Sequence, residues 1–143
     1  MNPSLPNHSD ICSLLSVSRS EHDPRTAPAV SLLLGHYVSP AQLTEMRWPD
    51  LRLASYAALV RDPKGGPARG VELSRLMVQQ LIPLALGDRA SRPFGKPLPG
   101  SPTITQLLAS VLVRAGLGRF TPEDFVTWSK AQSEATRMSV VTA

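Results

Sequence analysis

Residues 36–53 read HYVSPAQLTEMRWPDLRL, and residues 54–73 continue ASYAALVRDPKGGPARGVEL. Ser39 is a natural N-cap and Pro40 suits the first helical position. Gln42 stands where a capping box wants Glu or Gln. The helix they start places Leu43 and Met46 on one face, runs to about Arg47, and is stopped by Pro49. The run from Ala54 to Val60 fits helix through its alanines and strand through Tyr56 and Val60. DPKGGPAR, residues 62–69, is a turn, because two prolines and two glycines leave no room for a regular element. GVEL is then a short extended piece. Two extended pieces about such a turn predict a small β-hairpin near residues 54–73.

Upstream, APAVSLLLG predicts a helix over Ala27–Leu34 ended by Gly35. Residues 1–26 read as a flexible leader, polar and proline-bearing around ICSLLSV (residues 11–17). That piece is short enough to dock as a helical turn or two, or to serve as a partner-binding peptide. Downstream, Ser74 caps a helix that Pro83 should kink or end. Residues 88–102 are a proline-rich loop. SPTITQLLASVLVRAGLG (residues 101–118) is the clearest helix, with Ser101 as its expected cap and Pro102 at its first position. Ile104, Leu107, Leu108, Val111 and Leu112 form its apolar face, and Gly116 or Gly118 ends it. Core packing explains that face, with dimerisation the second choice. A last helix opens with Thr121 as cap, Pro122 leading and Asp124 at the third position. Phe125 and Trp128 share its inner side. Residues 137–143 should fray. The expected fold is mainly α with a small β-hairpin or short antiparallel sheet, as one domain over residues 27–136.

Composition narrows the function classes. The 143 residues carry 15 basic and 11 acidic side chains, a net charge of +4, and Arg far outnumbers Lys. Guanidinium is the better phosphate fork, so DNA is a candidate partner. A GC-rich genome would raise Arg, Ala, Gly and Pro together and produce the same bias. No block of like charge is present. The single cysteine, Cys12, excludes a disulfide framework or a thiolate metal site within one chain. The histidines are His8, His22 and His36, without ligand spacing, so no metal or cofactor is expected. No signal peptide or membrane-length apolar run is read, and a cytoplasmic chain is expected. No serine sits in a G-x-S-x-G elbow. Glu123 and Asp124 are adjacent, which suits the positive end of a helix better than a shared catalytic cleft.

Three phrases in order resemble the catalytic domain of tyrosine recombinases, the phage-integrase family. HYVSPAQLTEMRWPDLRL is similar to the family phrase TGLRxSELLxLRWxDID. KGGPARGVELS (residues 64–74) is similar to its hairpin KTGKxRxVPL, and GLGRFTPEDFVTWSKA (residues 116–131) to its TPHDLRHT. The resemblance covers roughly residues 27–135 and implies a recombinase catalytic-domain-like fold. It also implies that the catalytic set is lost. The first family arginine falls at about Ser39, and the His and Arg of the third phrase fall at Glu123 and Val126. Serine and valine cannot neutralise a phosphate in the transition state, and a glutamate repels it. Tyr37 and Tyr56 lie too early for the nucleophile. Lys64 matches the hairpin lysine. The leader is too short for the family's N-terminal DNA clamp.

The reading is therefore a non-enzymatic DNA-associated protein that modulates recombination or transcription, from a phage or other mobile element. Its expected phosphate contacts are Lys64, Arg69, Arg75, Arg47 and Arg52 on one continuous surface. The alternative is a small helical adaptor, held to a protein partner or a second copy by an exposed apolar patch.

Overall fold

The computed structural model describes residues 5–62, 64–86, 92–95 and 100–142, with side chains to residue 135. Six α-helices, two short 3-10 turns (Trp48–Asp50 and Leu53–Ser55) and a three-stranded antiparallel sheet make up the regular structure of the described residues. The helices are α1 (His8–Arg19), α2 (Thr26–His36), α3 (Pro40–Glu45), α4 (Arg75–Leu86), α5 (Ile104–Arg114) and α6 (Pro122–Thr142). The strands β1 (Leu51–Arg52), β2 (Ala57–Val60) and β3 (Arg69–Glu72) lie in that order, between α3 and α4 in sequence. The mainly α fold with a small antiparallel sheet is the expected one.

α2 is the central helix because almost no face of it is polar. Ala29, Val30, Leu32 and Leu33 are all buried, and α1, α4, α5 and α6 pack around it. A helix that is apolar all round belongs in the middle of the core. It does not end at Gly35. The helix continues to His36, and Tyr37 takes the left-handed conformation at its C-cap (φ 43°). Gly35 serves packing instead: a Cβ there would come 2.7 Å from Met77 Cε of α4.

The segment expected as a flexible leader carries α1, docked on the body. Asn7 and Asp10 form a capping box, each side chain bonding the other's backbone N–H at 2.9 Å. Ile11, Leu14 and Ser18 follow the spacing of one helix face and are buried. Two such apolar side chains contribute about 1.5–3 kcal/mol each on burial, enough to hold a capped helix of this length.

α5 is capped by Thr103, two residues later than the expected Ser101. Thr103 Oγ1 accepts from Gln106 N, and Gln106 Oε1 accepts from Thr103 N. A threonine with Gln three residues on completes the reciprocal box. Gly116 ends this helix at φ +75°, with Gly116 N donating to Val113 O and Leu117 N to Leu112 O. Nothing lies within 4 Å of a Cβ built at Gly116. Gly116→Ala should therefore cost about 1 kcal/mol of unfolding free energy through backbone strain alone; a urea titration with an unchanged midpoint would refute that assignment.

α4 starts after the expected cap, where Ser74 Oγ accepts from Met77 N, and it runs through Pro83 to Leu86. α6 opens as read, with Asp124 accepting from Thr121 N at 2.8 Å. It runs to Thr142 through most of the expected fraying tail, whose last residue, 143, lies outside the described residues. Much of the expected proline-rich loop also lies outside them. Its Phe94 is buried in the common core.

Candidate nucleic-acid interface

The sheet is the platform for the expected DNA contacts. Its register pairs Leu51 with Ala58, Arg52 with Ala57, Ala57 with Glu72 and Val60 with Arg69. Ala58 and Val60 are buried, so that face of β2 lies on the core. Directly paired residues share a face and neighbours alternate. Arg52, Ala57, Leu59 and Glu72 therefore occupy the outer face, and Arg69 the inner one. The five expected contacts do not share one surface, because Arg52 and Arg69 stand on opposite faces of the sheet.

Arg69 is committed inside the molecule. Its Nη2 donates to the carbonyl oxygens of His36 and, at 3.4 Å, Tyr37. Its guanidinium lies 4.1 Å from the centre of the Tyr37 ring. From the other side, Ser129 of α6 accepts from Tyr37 N at 3.0 Å and donates to Leu34 O at 2.8 Å. The end of α2 thus has its free carbonyls bonded by the hairpin and by α6 together, as helix termini require.

The other four cations are exposed: Arg47 after α3, Arg52 on β1, Lys64 at the hairpin tip and Arg75 at the start of α4. None has an ion pair among the described residues. The tip is shaped by Asp62, whose carboxylate accepts from Lys64 N at 2.9 Å. Gly65 there takes φ +84°. A Cβ at Gly66 would come 2.2 Å from Asp62 Oδ2, so a side chain there would displace the Asp62 carboxylate. Arg75 sits in a helical first turn that holds no acidic residue, where the dipole disfavours a cation.

One arginine escaped the sequence reading. Arg61, just past β2, forks onto Asp50, with Nε to Oδ2 at 3.0 Å and Nη2 to Oδ1 at 2.8 Å. Asp50 Oδ2 also accepts from Arg47 N at 3.0 Å. The Asp50 side chain is 3% exposed and that of Arg61 46%. The W-P-D order marked a helix stop, but only the folded hairpin brings residue 61 to residue 50.

Three titrations follow from these contacts. Hydrogen bonds from Arg61 hold the Asp50 carboxyl below its usual range, against burial, with Arg47 helping. Burial alone would raise Asp23, but the hydrogen bonds and charge of Arg25 outweigh it and lower it. Burial, with the Arg69 charge, lowers the His36 imidazole; Glu72 opposes both. All three groups bind fewer protons folded than unfolded, so stability rises with pH. The carboxylate share is complete above about pH 4 and is lost as pH falls through the folded values. The His36 share starts to be lost as pH drops below about 6.5. His36→Gln should flatten the urea midpoint between about pH 5 and 7; an unaltered slope there would remove His36 as its cause.

The positions assigned by resemblance to phosphate chemistry do structural work. Ser39 caps α3, accepting from Gln42 N at 3.2 Å. Glu123 is exposed in the first turn of α6. Val126 packs against the core. Tyr37 and Tyr56 both sit at left-handed positions, with Tyr37 under Arg69. Among the described residues no group of three His, Cys, Asp or Glu comes together as a metal site needs. No described helix is long and apolar enough to cross a membrane.

No family model matches the chain, and no curated protein sequence matches it. Among solved structures, it is similar to the crystal structure of XerA recombinase, with a TM-score of 0.69 and 19% sequence identity over 89% of this chain. The chain spans 49% of that chain's length. The likeness is distant and partial, and it is a likeness of fold to a tyrosine recombinase.

Proposed function

We propose that this chain is a non-catalytic, DNA-associated relative of the recombinase catalytic domain, holding the duplex backbone through Arg47, Arg52, Lys64 and Arg75. One observation carries the reading. The fold is shared with a recombinase, yet Ser39, Glu123 and Val126 stand at the three phosphate-handling positions named by resemblance, as a cap, a surface acid and a core residue. What remains on the sheet and beside it is long cations without an ion pair among the described residues. Such side chains contact phosphates, which position a protein without specifying sequence. A role in modulating recombination or transcription, in the cytoplasm of a host carrying a mobile element, fits such a scaffold.

Fluorescence anisotropy with a random-sequence duplex at about 50 and 200 mM salt tests this. Binding should fall steeply with salt, and Lys64→Ala with Arg75→Ala should take about two units off the log–log slope. Wild-type chain that fails to bind at the lower salt would end the reading.

A second reading rests on α4. Leu76, Ile82 and Leu86 are 51%, 40% and 82% exposed on a helix whose only charged residue is Arg75. An apolar stripe of that kind suits a protein partner or a second copy. Concentration-dependent self-association, lost in Leu76→Glu with Leu86→Glu, would favour it.

A further inference from the structure

The outer face of the sheet holds a cleft that neither the sequence phrases nor the resemblance marks. Its volume is about 450 Å³, and Pro49, Asp50, Arg52, Ala57, Leu59 and Arg61 line it. We infer that this cleft is a phosphate site, occupied by one backbone phosphodiester of duplex DNA between Arg52 and Arg61. The inference rests on the DNA reading above and adds Arg61 to its contacts.

The geometry comes from the pleat. Arg52 is the direct partner of Ala57, and Leu59 and Arg61 follow Ala57 at the two-residue period. Two guanidinium groups, one on β1 and one just past the end of β2, therefore flank a low apolar floor. No side chain longer than Leu59 rises from β2 between them. A sugar can rest on Ala57 and Leu59 while its phosphate meets the forks.

Charge and donors agree with this. Asp50 uses both oxygens on Arg61 and accepts from Arg47 N as well, so three of its roughly four acceptor sites are taken. Two of the five N–H groups of Arg61 point at Asp50; the rest, including both on Nη1, are left for a ligand. The carboxylate fixes the guanidinium plane in advance, which lowers the ordering cost when an anion arrives. Asp50 offsets the charge of Arg61 and feels that of Arg47 as well, and Arg52 adds a cation with no ion pair among the described residues. Besides the ion-paired Asp50, Glu72 is an acid of the outer row, opposite Ala57 on the far side from Arg52. The phosphate track therefore runs from Arg52 along Leu59 to Arg61, away from β3.

The test is the salt dependence of duplex binding for Arg52→Ala, for Asp50→Asn combined with Arg61→Ala, and for Glu72→Gln. The paired change avoids stranding a buried carboxylate, and Arg52 has no ion pair among the described residues to strand. Each arginine variant should weaken binding uniformly across sequences and lower the log–log slope by about one. Glu72→Gln should tighten binding, and the Ala57 and Leu59 amides should shift in NMR spectra on adding a short duplex. Duplex binding with an undiminished slope in both arginine variants overturns the site while leaving the DNA reading intact. If inorganic pyrophosphate shifts those amides and duplex does not, the cleft serves a free phosphate ligand and the assignment to DNA fails. No duplex binding by the wild type removes site and reading together.

Discussion

Arg25→Met should be among the most damaging single changes in this protein, lowering unfolding free energy by about 3–5 kcal/mol. Arg25 is 2% exposed, yet all three of its guanidinium nitrogens are bonded. Nε and Nη2 hold Asp23 at 3.0 and 2.8 Å, Nη1 donates to Gly95 O at 3.1 Å, and Nη2 to Pro102 O at 3.0 Å. Its own backbone N–H adds a bond to Asp23 Oδ1 at 3.0 Å. One side chain thus ties the start of α2 to two segments 70 and 77 positions away. Methionine fills the volume but leaves the Gly95 and Pro102 carbonyls without the guanidinium donors and the Asp23 carboxylate with the residue-25 backbone N–H alone from that position, at about 1–3 kcal/mol for each group. Asp23 keeps some water, with its side chain 22% exposed, which keeps the total near the stated range. Lysine should rescue little, because a point ammonium cannot serve carbonyls on two sides of a fork. A domain of ordinary stability has about 5–15 kcal/mol to lose, so the urea midpoint should drop by a large fraction in both variants. Near-wild-type stability of Arg25→Lys would show that charge, rather than the planar fork, holds the node.

Local chemistry was legible wherever a few neighbouring residues decide it. The Ser39–Gln42 box, the Thr121 start of α6 and the DPKGGPAR turn each depend on residues within a few positions. So does the apolar face of α5. The hairpin was legible too, although only the pairing of all four residues with β3 settled Ala57–Val60 as strand. The expectations that changed depended on partners distant in sequence. Arg25 looked like part of a polar leader because Gly95 and Pro102 are invisible from residue 25. The leader itself contained an N-x-x-D box, Asn7 to Asp10, that its serines and prolines obscured. Gly35 looked like a helix end because glycine usually is one, whereas here Met77 of α4 needs the space. The DNA set was legible as a list of long cations and not as a surface. Strand parity decides which face each occupies, and parity depends on the register between β1, β2 and β3. That register separated Arg69 from Arg52 and brought Arg61 into the cleft.

Arg69→Ala should lower stability by about 2–3 kcal/mol while leaving the salt slope of duplex binding unchanged. The two readouts separate a strut from a phosphate contact. As a strut, Arg69 gives charged hydrogen bonds to the last carbonyls of α2, where a cation also meets the negative end of the helix dipole. It adds a cation–π contact with Tyr37, the residue that turns the chain at a left-handed angle out of that helix. Alanine leaves those carbonyls to compete for water in a half-buried site and frees Tyr37 from its stacking partner. The expected result is an earlier urea midpoint and faster amide exchange at Val38 and around β3. Measured well below the unfolding transition, duplex binding should keep the wild-type slope, since no counterion is released by a guanidinium that never faces the duplex. A slope lower by about one in Arg69→Ala, with unaltered stability, would place Arg69 on DNA and return it to the contact set. In that case the inner face of the sheet, not the Arg52–Arg61 cleft, would be the side that meets the backbone.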